Sequence, residues 1–202
     1  MADRARRICV IGDEIAAGAG DPKALGWVGR VVARTHLDRP PLVMTLAVPE
    51  ETTTALSARW DTETAPRFDG SAGEETNHLV VALGRADLSA GISLARSRLN
   101  LANILDVAES RRLRTFVVGP PPGAHHDPDR QAELSSAFAD VAQRRAVPFV
   151  ETYAPLVGHE QWQADLAAGD GHLPSQAGYG LIAWLVLHTG WHQWLGLPSD
   201  LG

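Results

Sequence analysis

An α/β fold built on a parallel sheet is the class this sequence predicts, and three observations carry it. Short apolar runs rich in β-branched residues recur at 8–11, 42–48, 78–83, 115–118 and 147–150. Segments with helical periodicity stand between them, so strand and helix alternate five times. Turn-forming residues close the runs, with Gly12, Pro49, Gly84 and Gly119 after the first four. Continuous apolar strands mark a sheet buried on both faces. Right-handed crossovers then place helices on both sides.

The elements follow in order. The first strand, 8–11, stops at Gly12, and Asp21-Pro22 is a turn. A helix is expected over 25–35, with Leu25, Val28, Val31 and Val32 on one face. Arg39-Pro40-Pro41 breaks the chain before the second strand, 42–48. A loop, 49–53, leads to a helix over 54–64 carrying Leu56 and Trp60, and the run Thr52-Thr53-Thr54 offers it a cap. Residues 66–77 are polar and read as a surface loop. The third strand, 78–83, ends in the loop 84–89. A long helix, 94–113, follows, with Leu94, Leu101, Ile104, Leu105 and Ala108 as its apolar stripe. The fourth strand, 115–118, is closed by Gly119 and three prolines. The loop 123–129 precedes a helix over 130–145 with Leu134, Phe138, Val141 and Ala142 on one face. After the fifth strand come a short helix, 161–168, a loop, 169–174, and a last helix, 176–195, which Ser175 is placed to cap. That helix carries Trp184, Trp191 and Trp194, for which core packing or a subunit contact is the simplest use. A homo-oligomer is therefore one expected arrangement.

At 202 residues, 45% hydrophobic and 21% charged, the chain suits one domain spanning 1–202. A domain of this size buries roughly 70% of the surface its unfolded chain exposes. The net charge of −6 argues against nucleic acid and anionic membranes as partners. Cys9 is the only cysteine, which rules out an internal disulfide, and its apolar surroundings read as core. The basic residues Arg4, Arg6 and Arg7 lead straight into a strand pattern without a long apolar core, so no signal peptide is expected. No apolar run approaches the ~18 residues that span a membrane. The expectation is a soluble cytoplasmic protein with a small-molecule substrate or ligand and no cofactor. His125-His126-Asp127 shows no metal-ligand spacing from a rigid element, and neither does His159-Glu160, so no metal site is expected.

In open sheets of this type ligands bind beyond the carboxyl ends of the strands. Four segments at such positions form ordered blocks: G-D-E-I-A-A-G-A-G-D after strand one, T-L-A-V-P-E-E-T-T-T around strand two, V-V-A-L-G-R-A-D-L around strand three, and G-D-G-H-L-P-S-Q-A-G-Y-G before the last helix. With these blocks the chain resembles the SGNH, or GDSL, hydrolase superfamily nearly end to end. The resemblance implies a flavodoxin-like three-layer α/β/α sandwich with a five-stranded parallel sheet, and ester or acyl hydrolysis of a small substrate.

In that superfamily a Ser in the first block is the nucleophile. A His in the last block is its base, oriented by an Asp three residues earlier. Backbone N–H groups of the Ser and of a second-block Gly, with a third-block Asn amide, bind the oxyanion. This chain departs at each place. Glu14 stands for the Ser, Glu50 for the Gly and Ala86 for the Asn. In the last block, alignment on Pro174-Ser175 puts Leu173 at the His position, whereas alignment on Asp170-Gly171 leaves His172 one residue early. Ala86 removes a donor of a kind worth about 10²–10³ in rate in a serine hydrolase. Glu14 excludes a serine acyl-enzyme at the usual place.

Two readings of Glu14 follow. As a functional carboxylate it attacks an electrophilic carbon or activates water. With Glu50 nearby the pair would share a proton, one pKa being raised. His172 and Asp170 would then supply the second acid/base pair, and Arg85, beside Ala86, would pair with Glu14 or Glu50 or bind an anionic substrate. In the other reading Glu14 is a hydrogen-bonded remnant of a retired site, and the chain is a ligand- or protein-binding module. Asp13 and Asp87 are expected to stabilise turns. A nucleophile from the threonine run, or a different Ser, is a remoter alternative.

Overall fold

In the computed structural model, residues 5–68 and 75–197 are described. Five parallel strands form one sheet in the order β2-β1-β3-β4-β5. They are β1 (Ala5–Gly12), β2 (Leu42–Ala47), β3 (Glu75–Ala82), β4 (Arg114–Val118) and β5 (Phe149–Val150). This is the flavodoxin-like strand order, which reverses direction between β1 and β3. Cα register pairs Gly12 with both Ala47 and Ala82, so three strand ends lie level at the carboxyl edge.

Side-chain alternation along the strands builds two cores. Ile8, Val10, Val80, Ala82, Phe116 and Val118 face one layer; Cys9, Ile11, Leu79, Val81 and Val117 face the other. The first layer contains α1 (Glu14–Ala17), α2 (Gly26–Ala33) and α9 (Gln176–Val186), with Trp27, Trp162 and Tyr179 buried among them. The second contains α3 (Thr53–Phe68), α5 (Leu94–Ser110) and α6 (Pro128–Gln143), packed through Leu56, Trp60, Leu101, Leu134 and Phe138. Short helices α4 (Ala86–Ser89), α7 (Tyr153–Val157), α8 (Glu160–Ala167) and α10 (His192–Trp194) complete the set. The three-layer α/β/α sandwich expected from the sequence is present. Among the described residues no helix is long and apolar enough to cross a membrane.

Several boundaries differ from the expected ones. The fifth strand shortens to two residues because Pro148 has no N–H to give a ladder. The helix predicted to reach residue 113 ends at Ser110, and Arg112 follows in the left-handed region at φ 58°. The last helix is not continuous to residue 195. It passes into a π-type turn, Leu187–Trp191, where Thr189 and Gly190 leave helical geometry and Gly190 adopts φ 81°. The helix predicted to end at residue 64 runs through Pro66 to Phe68, and part of the polar loop expected at 66–77 lies outside the described residues. Ser175 sits at the N-cap of α9, but its hydroxyl donates to Asp165 rather than capping. Trp191 and Trp194 are buried, while Trp184 is 56% exposed and stacks on His188.

Candidate active site

The site grows from the turn that ends β1. Gly12 leaves the sheet with its α-carbon against β3: a Cβ there would stand 1.9 Å from the Ala82 carbonyl oxygen. Asp13 then caps α1, accepting from the Ile15 N–H at 3.0 Å. Gly84, at the end of β3, gives Asp13 its room, since a Cβ would lie 1.7 Å from Asp13 Oδ2. Asp13 is 2% exposed. Burial first, and then the neighbouring Glu14 charge, pushes its carboxyl up to about 7.

The same turn sets Glu14 at the first position of α1, above the sheet and 8% exposed. Its two oxygens have separate partners. Oε1 meets His172 Nε2 at 2.8 Å, and Oε2 accepts the Glu50 backbone N–H at 2.6 Å. Burial works against the charge, but the N–H of Glu50, its own N–H and His172 outweigh it, and Glu14 lies below the ordinary glutamate range. Glu50 presents its N–H from the left-handed region, φ 55°. A non-glycine residue there costs roughly 1–2 kcal/mol, and the second-block alignment places this residue where the resemblance expects a glycine. Glu50 is exposed, and its hydrogen bond to Glu14 runs through the backbone N–H. No hydrogen bond between the two carboxyl groups accompanies it, and Glu14 is lowered, so the expected proton-sharing pair is not seen in this geometry.

Arg85 is the second correction. It is 3% exposed and pairs with neither Glu14 nor Glu50. Its NH1 donates to the Pro121 carbonyl at 2.7 Å, and its NH2 donates to the His172 carbonyl at 2.8 Å while facing His172 Nδ1 at 3.4 Å. Gly123 admits the guanidinium, since a Cβ there would fall 2.6 Å from Arg85 Nε. Burial pulls the Arg85 pKa down, opposed by the charges of Asp13 and Glu14. With a cation facing Nδ1, the tautomer consistent with the contacts carries its proton on Nε2 and donates it to Glu14.

Asp170 is the third correction. Its carboxylate does not orient the imidazole. Oδ1 accepts the N–H groups of His172 at 2.8 Å and Leu173 at 3.1 Å, which shapes the loop and lowers its pKa. Its carbonyl takes His125 Nε2 at 2.6 Å. His172 itself, not Leu173, reaches the site.

Glu14, Glu50, Thr52, Ala86, Ser89, Ala90 and His172 line an open cavity of about 280 Å³. Ala86 contributes a methyl group to this lining and no side-chain donor. No sequence signal singled out Ser89, Ala90 or the supporting Asp165. The Asp165 carboxylate accepts from Ser175 N at 2.7 Å and Gly178 N at 2.8 Å and so fixes the last block. Asp87 is structural, but as a long-range tie rather than the expected turn residue: it holds Thr53 through its N–H and hydroxyl, both at 2.7 Å. Thr52 accepts from the Ala55 N–H, which is the cap proposed for α3. His126 meets Ser89 at 2.9 Å, and Asp127 caps α6. Among the described residues no cluster of His, Cys, Asp and Glu is arranged to hold a metal ion.

Comparison with known proteins agrees with this architecture. The family model described as the GDSL-like lipase/acylhydrolase family matches residues 10–181. The lipase/acylhydrolase from Enterococcus faecalis superposes with a TM-score of 0.74 at 24% identity, covering 90% of this chain and 93% of that one. The acetylxylan esterase from Geobacillus stearothermophilus gives 0.71 at 17% identity over 98% of both chains. A psychrotrophic esterase from Pseudoalteromonas sp. gives 0.71 at 18% identity, over 94% of this chain and 98% of that one. At such identities these structures establish a shared fold. No curated protein matches the chain in sequence. With a model spanning most of its length and the sheet, helices and strand-end loops in agreement, the chain belongs to the GDSL-like lipase/acylhydrolase family.

Proposed function

We propose that the protein is a small-substrate hydrolase whose reacting group is the Glu14 carboxylate. One observation carries the reading: Glu14, which the first sequence block aligns with the nucleophile of the resemblance, lies on the wall of an open cavity, with His172 on one oxygen and a backbone N–H on the other. A carboxylate needs no base to become a nucleophile, unlike a serine hydroxyl. The nucleophile role is taken over the activation of water because attack by an ionised carboxylate needs no proton transfer. His172 orients it. Substrate volume is limited by the cavity, and the inherited reaction class is hydrolysis. The Glu14→Gln variant is expected to fold as the parent does, by circular dichroism, and to lose turnover in a screen of esters, thioesters, lactones and alkyl electrophiles. Undiminished turnover in that variant removes the proposal.

A second reading has its own observation. Arg85, not a carboxylate, faces Nδ1 of His172, and this suits a site retired from acid/base work that binds a ligand or partner. Reproducible turnover that depends on Glu14 would rule that reading out.

A further inference from the structure

We propose that Glu14 attacks saturated carbon: the substrate class is a small alkyl compound bearing a leaving group that departs as a stable anion, and the intermediate is an alkyl ester of Glu14. The inference rests on the preceding reading of Glu14 as the reacting group and adds the kind of bond it cleaves.

Three features converge on it. The first is the hole. An acyl substrate needs free donors for the oxyanion that develops on its own carbonyl. Here the Glu50 N–H is already bonded to Glu14 Oε2 at 2.6 Å, and Ala86 offers no side-chain donor. Displacement at saturated carbon builds no oxyanion on the substrate and makes no demand on the hole. The second is the histidine. Attack by serine requires an imidazole lone pair on Nε2, kept there by a carboxylate that accepts the Nδ1–H, whereas Nδ1 of His172 faces the Arg85 guanidinium. An ionised carboxylate dispenses with that deprotonation. The third is the placement of Oε2. Once Oε1 is alkylated, water adds to Cδ and the oxyanion forms on Oε2, where the Glu50 N–H already stands. The donor that no longer serves a substrate carbonyl thus serves the enzyme's own ester.

The steps balance. Oε1 of Glu14 forms a bond to the substrate carbon as the carbon–leaving-group bond breaks, and the leaving group takes the bonding pair. Water then adds to Cδ of the ester, losing a proton to the carboxylate of Glu50, a residue of the same cavity lining. The tetrahedral intermediate expels the alkoxide, which takes that proton and leaves as an alcohol. Glu14 emerges as the acid with one oxygen from water, and loss of its remaining proton to solvent restores the carboxylate. The methyl groups of Ala86 and Ala90 give the alkyl chain an apolar wall.

The test is oxygen transfer. The full chain is incubated in water labelled with heavy oxygen, with bromobutane and separately with bromoethanol, and the peptide containing Glu14 is weighed by mass spectrometry. The expected result is heavy oxygen in Glu14, with bromide and alcohol released. In Glu50→Gln, which keeps the backbone N–H, the same peptide should carry the alkyl group as a persistent ester. No label with either probe overturns the inference. If p-nitrophenyl acetate is turned over in a Glu14-dependent way without label, Glu14 acts otherwise and the hydrolase reading stands. If neither alkyl probe nor ester is turned over, both readings fall.

Discussion

Asp13 and Glu14 are adjacent carboxyl groups with opposite proton affinities. Asp13 is buried away from solvent beside a negative neighbour, so its pKa rises from 3.8 to about 7. Glu14 has three donors, and its pKa falls. Each shift has a consequence with a definite sign. The fold holds the Asp13 proton up to about pH 7, whereas the unfolded chain releases it near 3.8. The folded state therefore binds more protons in that window, and Asp13's contribution to stability is lost as pH rises through it. Asp13→Asn keeps an acceptor for Ile15 N–H. Chemical denaturation across the window should show a shallower fall of stability with pH in the variant; equal slopes would contradict the burial account. For Glu14 the sign reverses. The ionised form is held below the ordinary glutamate value of 4.5, so turnover should remain level as pH falls through that value and decline only below it. A pH–rate profile of kcat/KM checks this.

At the scale of elements, the site depends on how α3 and α4 are tied. Asp87 in α4 is 2% exposed and accepts from the N–H and hydroxyl of Thr53 and the hydroxyl of Ser97 in α5. Asn100 extends the tie to Thr53 and Thr54, each at 2.9 Å. This anchors the start of α3 just after the loop that presents the Glu50 N–H. Asp87→Ala would leave several buried donors without an acceptor and should cost about 3 kcal/mol in urea denaturation. A cost under about 1 kcal/mol would show that the tie is not needed. The sequence made most of the elements legible because burial on both faces imposes continuous apolar strands, as at 78–83. It was less informative where single residues decide an end: Pro148 shortens β5 and Gly190 breaks the last helix. Asp170 shows a local signal that was available. An Asp accepts backbone N–H groups two residues on, and the i, i+2 spacing to His172 fits that use rather than contact with the ring.

The whole molecule brings the strand-end loops to one edge, where the order reverses between β1 and β3. Block order in the sequence pointed the loops of Glu14, Glu50 and residues 170–174 to one edge but left open whether His172 or Leu173 reaches the site, which the His172–Glu14 contact decides. The placement of Arg85 was not legible, because its partners are the carbonyls of Pro121 and His172, and carbonyls have no signature in a sequence. That placement bears on any attempt to rebuild a serine site. Glu14→Ser restores the hydroxyl but leaves His172 facing a cation, and a wrongly held tautomer costs about 10⁴ in rate in a serine triad. A fluorophosphonate probe should therefore leave Glu14→Ser unlabelled over times that label a working serine esterase. Rapid labelling would show that Arg85 does not control His172.

The account rests on an ionised Glu14 held between His172 and the Glu50 N–H, and titration of its carboxyl carbon by NMR tests this most directly. The predicted result is a midpoint below 4.5 that moves upward in His172→Ala, as one of the groups favouring the charge is removed. A midpoint at or above 4.5, unmoved by that substitution, would contradict it.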